Sequence, residues 1–245
     1  MIKTLLFDLD DTLLGNDMDI FLPHYFSLAG HFAQQYLPED QFKQVLLLAS
    51  RTMIENTDPG VTNNDVFWLR FVELTGLDRD IVEADFDYFY RHDFQQLQEV
   101  TEYTPIAAQI MDNCFRQGLQ VVIATNPMFP RRAIEARLAW AGIPVSKYPY
   151  ALVTAMENMH ATKPHEVYYE EILREVDSRP HESLMIGDDG RRDIEPASNL
   201  GIHTYWIQLP DSELPQGIMP TAQGSLEQLA HLFDDGWLST LKESG

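Results

Sequence analysis

The sequence predicts an α/β protein with a Rossmann-like, doubly wound parallel sheet and an inserted all-α cap subdomain. Two features lead to this prediction. Five short apolar runs alternate with helical patterns, and a long stretch without strand character follows the first run. The chain has 245 residues, 44% of them hydrophobic, which suits one core domain with a substantial core plus an insertion.

The predicted strands are bulky or β-branched, as in parallel sheets that are covered on both faces. They lie at residues 4–7, 120–124, 151–154, 184–186 and 204–207.

Between these strands, residue types mark helix starts and stops. Thr104 and Pro105 begin one helix and Gly118 ends it, following the usual preference for proline at the start and glycine at the end. Further helices are predicted over 131–141 and 190–200, and after a capping box at Ser225 and Gln228.

The insertion differs from the rest in pattern. It is rich in aromatic residues and predicts amphipathic helices over 21–36, 39–56, 64–75 and 80–97. We therefore expect a helical cap subdomain at 16–99 and an α/β core domain at 1–15 and 100–245. Most of the aromatic side chains are expected to form the core of the helical bundle.

Charge and cysteine content exclude several classes of protein. Seventeen basic against 38 acidic residues give a net charge of −21, which disfavours nucleic-acid polymers and anionic membranes. The single cysteine, Cys114, cannot form an internal disulfide and fits a cytoplasmic location. The N-terminal apolar run is interrupted by aspartates within a few residues, and it has no signal-peptide cleavage site.

Acidic residues follow two of the predicted strands directly. Asp8 and Asp10 come after the first strand, where parallel sheets bind ligands. Asp188 and Asp193 come after the fourth, in a turn that begins with Gly187. Clustered carboxylates repel one another unless a cation joins them, and hard oxygen ligands suit Mg²⁺. The alternative is solvated loop residues or helix caps, and we expect Asp189 to be a cap.

Two weaker signals lie between these clusters. Thr125 and Asn126 follow the second strand, where a hydroxyl and backbone N–H groups can bind phosphate oxygens. Lys163 precedes Pro164 in a loop. Each, taken alone, is typical of an ordinary surface turn.

Taken together, Asp-x-Asp-x-Thr, Thr-Asn, Lys-Pro and Gly-Asp-x₄-Asp resemble, in this order, the four motifs of the haloacid dehalogenase superfamily of hydrolases. The resemblance covers about 1–15 and 100–210. It implies that Asp8 is a nucleophile and Asp10 a general acid/base. It also implies that Thr125, Asn126 and Lys163 hold the phosphoryl group. Asp8, Asp188 and the Asp10 backbone carbonyl would ligate Mg²⁺, and Asp193 would support the metal shell or Lys163.

The resemblance implies Mg²⁺-dependent hydrolysis of a small phosphate monoester through an aspartyl-phosphate. A phosphomutase acting on a sugar phosphate is the alternative, since it would use the same residues. The presence of Asp10 and the metal aspartates disfavours carbon–halogen cleavage. A purely binding role is disfavoured because every motif residue is intact.

Substrate choice is expected to lie in the cap, with a small phosphorylated metabolite as partner. The candidates are residues near the first motif and arginines that suit an anionic group: His24, Tyr25, Arg51, Arg70, Arg91, Arg131 and Arg132. The sequence leaves a homodimer contact through cap aromatics open.

Overall fold

The parallel sheet predicted from the sequence is present and has six strands. The structure, a computed structural model, describes residues 1–210 and 212–241. Its strands are β1 (Thr4–Phe7), β2 (Gln120–Ile123), β3 (Leu152–Val153), β4 (Ser183–Gly187), β5 (His203–Ile207) and β6 (Ala222–Gly224). The order across the sheet is β3-β2-β1-β4-β5-β6, and every neighbouring pair is parallel.

The sequence analysis missed β6. Its three residues, Ala-Gln-Gly, are neither β-branched nor alternating, and they pair only along the sheet edge beside β5. The other five strands lie within two residues of their predicted bounds.

Strand register places the first and fourth motifs side by side. Phe7 at the end of β1 is level with Ile123 of β2 and Ile186 of β4. The residues that follow these three strands therefore leave the sheet at the same edge. That edge holds the candidate site.

The stretch between β1 and the rest of the sheet is helical, as predicted. It contains α1 (Met18–Phe32), α2 (Glu39–Ile54), α3 (Asn63–Thr75) and α4 (Arg79–Arg91). The fourth predicted helix, 80–97, is in fact shorter: α4 ends before His92, and 3-10 turns continue over Asp93–Val100. The two connections to the core pair with each other, since Gly15 and Glu102 exchange backbone hydrogen bonds of 3.0 and 2.7 Å.

Helices of the core flank the sheet. They are α5 (Pro105–Arg116), α6 (Arg131–Trp140), α7 (Glu166–Glu175), α8 (Glu195–Asn199) and α9 (Leu226–Asp234). The capping box before α9 is confirmed, because the Ser225 hydroxyl accepts from Gln228 N and Gln228 Oε1 accepts from Ser225 N.

The predicted helix over 190–200 is divided. A wide helical turn, Gly190–Ile194, precedes α8. Pro196 lies in the first turn of α8 and has no N–H to donate to a preceding turn, so the hydrogen-bond ladder is interrupted there.

Both faces of the sheet are covered. Leu5 and Phe7 pack into one hydrophobic cluster and Leu6 into another, as expected for alternating side chains of a buried strand. Among the described residues, no helix is both long and apolar enough to cross a membrane.

Candidate active site

A buried lysine lies between two aspartates at the carboxyl edge of the sheet. Lys163 Nζ donates to Asp8 Oδ1 at 2.7 Å and to Asp193 Oδ1 at 2.6 Å. All three side chains are buried. The structure thus brings together residues from the first, third and fourth motifs, which are separated by 155 and 30 positions along the chain.

Gly187 allows the fourth motif to fold tightly. A Cβ built there would lie 2.2 Å from Asp193 Oδ2, so any side chain would displace this carboxylate. The same Oδ2 accepts a hydrogen bond from Asp189 N at 3.1 Å. Both oxygens of Asp193 thus accept hydrogen bonds, one from Lys163 and one from the turn after β4, and its predicted support of Lys163 or the metal shell stays a prediction.

Burial perturbs the ionisation of this cluster. It raises the pKa of Asp8 to about 7, and the charges of Asp193 and Asp10 add to the shift while Lys163 opposes it. Burial also raises the pKa of Asp188 to about 8, and the negative charges of Asp8 and Asp193 contribute to this increase. Burial alone would lower the pKa of Lys163, but Asp193 and Asp8 raise it well above its ordinary value. Burial therefore opposes ionisation of Asp8 when no cation is bound.

The donor set fits a hard divalent cation. Carboxylate oxygens of Asp8, Asp188 and Asp193 lie within 4.8 Å of one another. In the part of the chain that the structure describes, no cationic side chain pairs with Asp188, whose Oδ1 accepts only a 3.4 Å hydrogen bond from Thr12. These three side chains could hold such a cation, and Asp8 and Asp188 stay the predicted side-chain ligands of Mg²⁺. The Asp10 backbone carbonyl stays a predicted ligand.

Asp10 has a partner that the sequence analysis missed. Arg137 of α6 donates to Asp10 Oδ2 at 2.5 Å, and Asn16 Nδ2 donates to Asp10 Oδ1 at 2.6 Å. The guanidinium is 1% exposed and lies 4.8 Å from the centre of the Phe129 ring. Among the described residues, its Nε and Nη2 atoms have no hydrogen-bond partner.

The sequence gives little indication that Arg137 is a buried site residue. Arg137 belongs to a helix whose neighbouring arginines, Arg131 and Arg132, are nearer to the second motif and attract attention first. Both of these are surface residues, paired with Glu135 and Asp87. Only the helix period places Arg137 among the buried positions of α6, together with Ala133, Ile134 and Leu138.

The second motif lies beside the lysine loop. Thr125 is buried and lines the same cavity as Asp8, together with Asn126. Asn126 Oδ1 accepts from the Lys163 backbone N–H at 3.2 Å, so this side chain positions the lysine loop. The Thr125 carbonyl accepts from Thr154 and from Tyr168, at 2.7 and 2.8 Å, which fixes the turn after β2. The two residues remain the predicted phosphate-binding pair.

Asp189 is a helix cap, as expected. Its Oδ1 accepts from the backbone N–H groups of Arg191 and Arg192 at 2.8 and 3.0 Å.

The cap arginines lie away from the site. Arg51 pairs with Glu55 and Arg70 with Glu73 on helix surfaces, and Arg91 pairs with Asp87. The cavity lining includes none of the three. His24 is also absent from the lining, whereas Tyr25 lines the cavity and shares a 2.9 Å hydrogen bond with the Tyr90 hydroxyl.

The parallel sheet, the lysine–aspartate cluster at its carboxyl edge and the helical insertion define a doubly wound α/β protein with a buried carboxylate site. A family model described as Haloacid dehalogenase-like hydrolase matches residues 5–207, most of the chain. The chain therefore belongs to this family, which confirms the resemblance found in its motifs.

Individual relatives are distant. The Bacillus mycoides protein named Pyrophosphatase PpaX is 24% identical over 208 residues, covering 84% of this chain and 83% of that protein. The 2-haloacid dehalogenase of Pseudomonas syringae pv. Tomato has a TM-score of 0.63 at 20% identity, covering 97% of this chain and all of that chain. The magnesium-bound HAD-hydrolase YfnB of Bacillus subtilis has a TM-score of 0.55 at 23% identity, covering 95% and 99%. These likenesses of structure show the fold.

We predict that Asp10 and Arg137 stabilise the protein only as a pair. Asp10→Ala leaves the guanidinium buried without a carboxylate, which should lower the free energy of unfolding by about 3 kcal/mol. The double variant Asp10→Ala/Arg137→Met should recover most of this loss. Urea denaturation measures both. Arg132→Met, which breaks an exposed pair on the same helix, is the control and should cost less than about 1 kcal/mol. Additive losses in the double variant would contradict the prediction.

We predict that the metal-free protein becomes less stable as pH rises from about 4 to about 8. Unfolded aspartates lose their protons near their ordinary pKa of 3.8, whereas folded Asp8 and Asp188 keep theirs until about 7 and 8. The folded state thus binds more protons over this window, which gives stability a negative slope with pH. Mg²⁺ favours the ionised carboxylates, so its stabilising effect should grow over the same range.

Thermal unfolding in EDTA and in Mg²⁺, followed between about pH 5 and pH 8, measures this linkage. A magnesium effect that does not change with pH would count against a cation held by Asp8 and Asp188.

We predict that Gly187→Ala disables the site without changing any acidic residue. The new methyl group displaces the Asp193 carboxylate and with it Lys163. A displacement of about 1 Å at a reacting centre lowers kcat by about 100-fold. Assays of the chain's hydrolase activity would show the loss. An alanine variant with full activity would show that Asp193 is not needed in this position.

Proposed function

We propose that the protein hydrolyses phosphate monoesters, with Mg²⁺ as cofactor and an aspartyl-phosphate on Asp8 as intermediate. The observation that carries this proposal is the Asp8 carboxylate, held by Lys163 at the end of β1 and open to a cavity that also contains Asp188. A fixed carboxylate next to a cation and a metal-ligand set is suited to in-line attack on phosphorus.

Each side chain has a distinct task in this mechanism. Asp8 Oδ2 attacks phosphorus, because Oδ1 is engaged by Lys163. Thr125 and the backbone N–H of Asn126 hold the non-bridging oxygens, and Lys163 offsets their charge. Asp10, after taking a proton from solvent on leaving Arg137, donates it to the departing alcohol and then accepts one from the water that hydrolyses the intermediate.

Asp10 must change partners to perform this role. Arg137 and Asn16 hold both of its oxygens, so the carboxylate has to release at least one of them to reach the leaving group. We propose that Arg137 and Asn16 position Asp10 between catalytic steps.

Mg²⁺ bound by Asp8 and Asp188 would neutralise charge on the transferred group and favour the ionised form of Asp8. The charge count supports this requirement. Asp8, Asp188 and Asp193 carry three negative charges when ionised, and Lys163 supplies one positive charge. Asp10 is balanced separately by Arg137. The remaining two negative charges match one divalent cation.

The relatives support this proposal at the level of reaction class. PpaX is named a pyrophosphatase, so its named reaction is also a phosphoryl transfer to water. YfnB was solved with magnesium. The dehalogenase shares the fold, but the lysine-linked carboxylates and free Asp188 of this chain favour phosphoryl chemistry over carbon–halogen cleavage.

We predict that Asp8→Asn abolishes phosphate release, because a carboxamide cannot form the acyl phosphate. Excess EDTA should do the same for the unaltered protein, since the uncompensated carboxylates repel an anionic ester. A Mg²⁺-dependent phosphate-release assay tests both. Asp11→Asn is the matched control, because Asp11 lines the same cavity and asparagine tolerates its left-handed φ of 57°.

Retention of turnover by Asp8→Asn, with Asp11→Asn unchanged, would remove Asp8 from the role of nucleophile. Mass spectrometry of the products completes the test. Released phosphate supports the hydrolase, whereas an isomerised sugar phosphate without released phosphate would show a phosphomutase.

A further inference from the structure

The cavity at the site is larger than phosphoryl transfer alone requires. Its volume is about 1120 Å³, and it runs from Asp8 into the space between α1, α2, α3 and α4. Pockets that enclose drug-sized ligands have volumes of roughly 300–1,000 Å³. The reacting phosphoryl group would occupy only the end near Asp8, so most of the cavity is available to the leaving group.

The part of the lining that comes from the cap helices and the loop after β2 is rich in apolar and aromatic side chains, and we call these side chains the cap wall. Every cap helix contributes rings to it, and further apolar side chains come from the loop after β2. The principal rings are Phe26, Phe42, Phe67, Trp68, Phe86 and Phe129. The two phenol groups in the wall, Tyr25 and Tyr90, are hydrogen-bonded to each other, so neither requires a polar ligand. Aromatic rings in such a wall pack best against an apolar or aromatic group of the ligand.

The charges around the cavity disfavour an anionic leaving group. Twelve carboxylates and five cationic side chains line it. The cationic groups other than Lys163 each have a carboxylate partner: Arg131 pairs with Glu135, Arg132 with Asp87, Arg137 with Asp10 and Arg192 with Asp189. No unpaired cation among the described lining residues is available for a second phosphate or a carboxylate.

We propose that the substrate is a phosphate monoester whose alcohol part is large, uncharged and aromatic, and that this part lies against the cap wall. This inference rests on the proposed function and narrows its substrate class. The proposed substrate class excludes pyrophosphate as a preferred substrate, since pyrophosphate has an anionic leaving group and no apolar surface.

The test uses esters that differ in the side group but leave as alcohols of similar basicity. The panel is 2-(1-naphthyl)ethyl phosphate, ethyl phosphate and 2-carboxyethyl phosphate, with pyrophosphate as a separate member. Burying a naphthyl group should raise kcat/KM over ethyl phosphate by about 100-fold, which allows for binding costs that reduce the full area-based gain. The carboxyethyl ester and pyrophosphate should be poorer than ethyl phosphate.

A matched pair of exposed leucines on α2 tests where the side group lies. Leu47 and Leu48 are 48% and 47% exposed, but only Leu47 lines the cavity. Leu47→Lys should lower the naphthylethyl-to-ethyl ratio of kcat/KM by about tenfold, because it replaces apolar contact with a charge. Leu48→Lys should leave the ratio within about twofold, since it adds the same charge outside the cavity. Both positions are exposed, so neither change threatens folding.

The possible outcomes separate the two proposals. Phosphate release from ethyl phosphate or pyrophosphate at least as fast as from the naphthyl ester would overturn the substrate class and leave phosphoryl hydrolysis intact. Equal effects of the two lysine variants would overturn the proposed location of the side group. Absence of release from every ester would overturn the proposed function. In that case, calorimetry with naphthylethylphosphonate and ethylphosphonate in Mg²⁺ still tests the cavity, and equal affinities would overturn this inference.

Discussion

The ion triad of Lys163, Asp8 and Asp193 is the interaction on which the rest of the site depends. Burying an isolated ammonium group would cost several kcal/mol of desolvation free energy. Lys163 is 3% exposed, and it stays charged because two carboxylates contact it. The same contacts join the ends of β1 and β4 to the loop before α7. One charged group therefore fixes Asp8, the fourth motif and the edge of the sheet relative to one another.

Charge balance divides the acidic residues into two sets with different partners. Asp10 and Arg137 form a separate pair, in which the buried guanidinium lies against the rings of Phe21 and Phe129. Asp188 belongs to the other set and lacks a cationic partner among the residues that the structure describes. In the proposed mechanism this division leaves Asp188 available to Mg²⁺, while the charge of Asp10 is offset by Arg137.

The parts of the site that the sequence predicted are those attached directly to strand ends. Parallel strands in register bring their following residues to one edge, so Asp8, Thr125 and Asp188 could be placed together from strand order alone. Lys163 could be assigned to the site only through the family resemblance, because a Lys-Pro pair in a loop is not attached to the end of a strand. Arg137 neither follows a strand nor belongs to a motif of the family. It lies in the middle of a helix and contacts Asp10 across 127 positions of the chain. The raised pKa of Asp8 could not be predicted for a similar reason: it comes from burial, which depends on what the cap and the loops cover, and the position of Asp8 at a strand end says nothing about that.

The net charge of −21 repels all phosphate monoesters about equally, so it cannot select one of them over another. Every phosphate monoester brings the same dianion, so the repulsion from the outer field and the attraction of Lys163 and a bound cation are nearly equal for all of them. A second anionic group adds repulsion from a lining in which carboxylates outnumber cations. Apolar contact with the cap wall is independent of this field and of salt. If the protein hydrolyses phosphate monoesters as proposed, discrimination among them therefore falls to the cap wall, and the acidic surface disfavours polyanions.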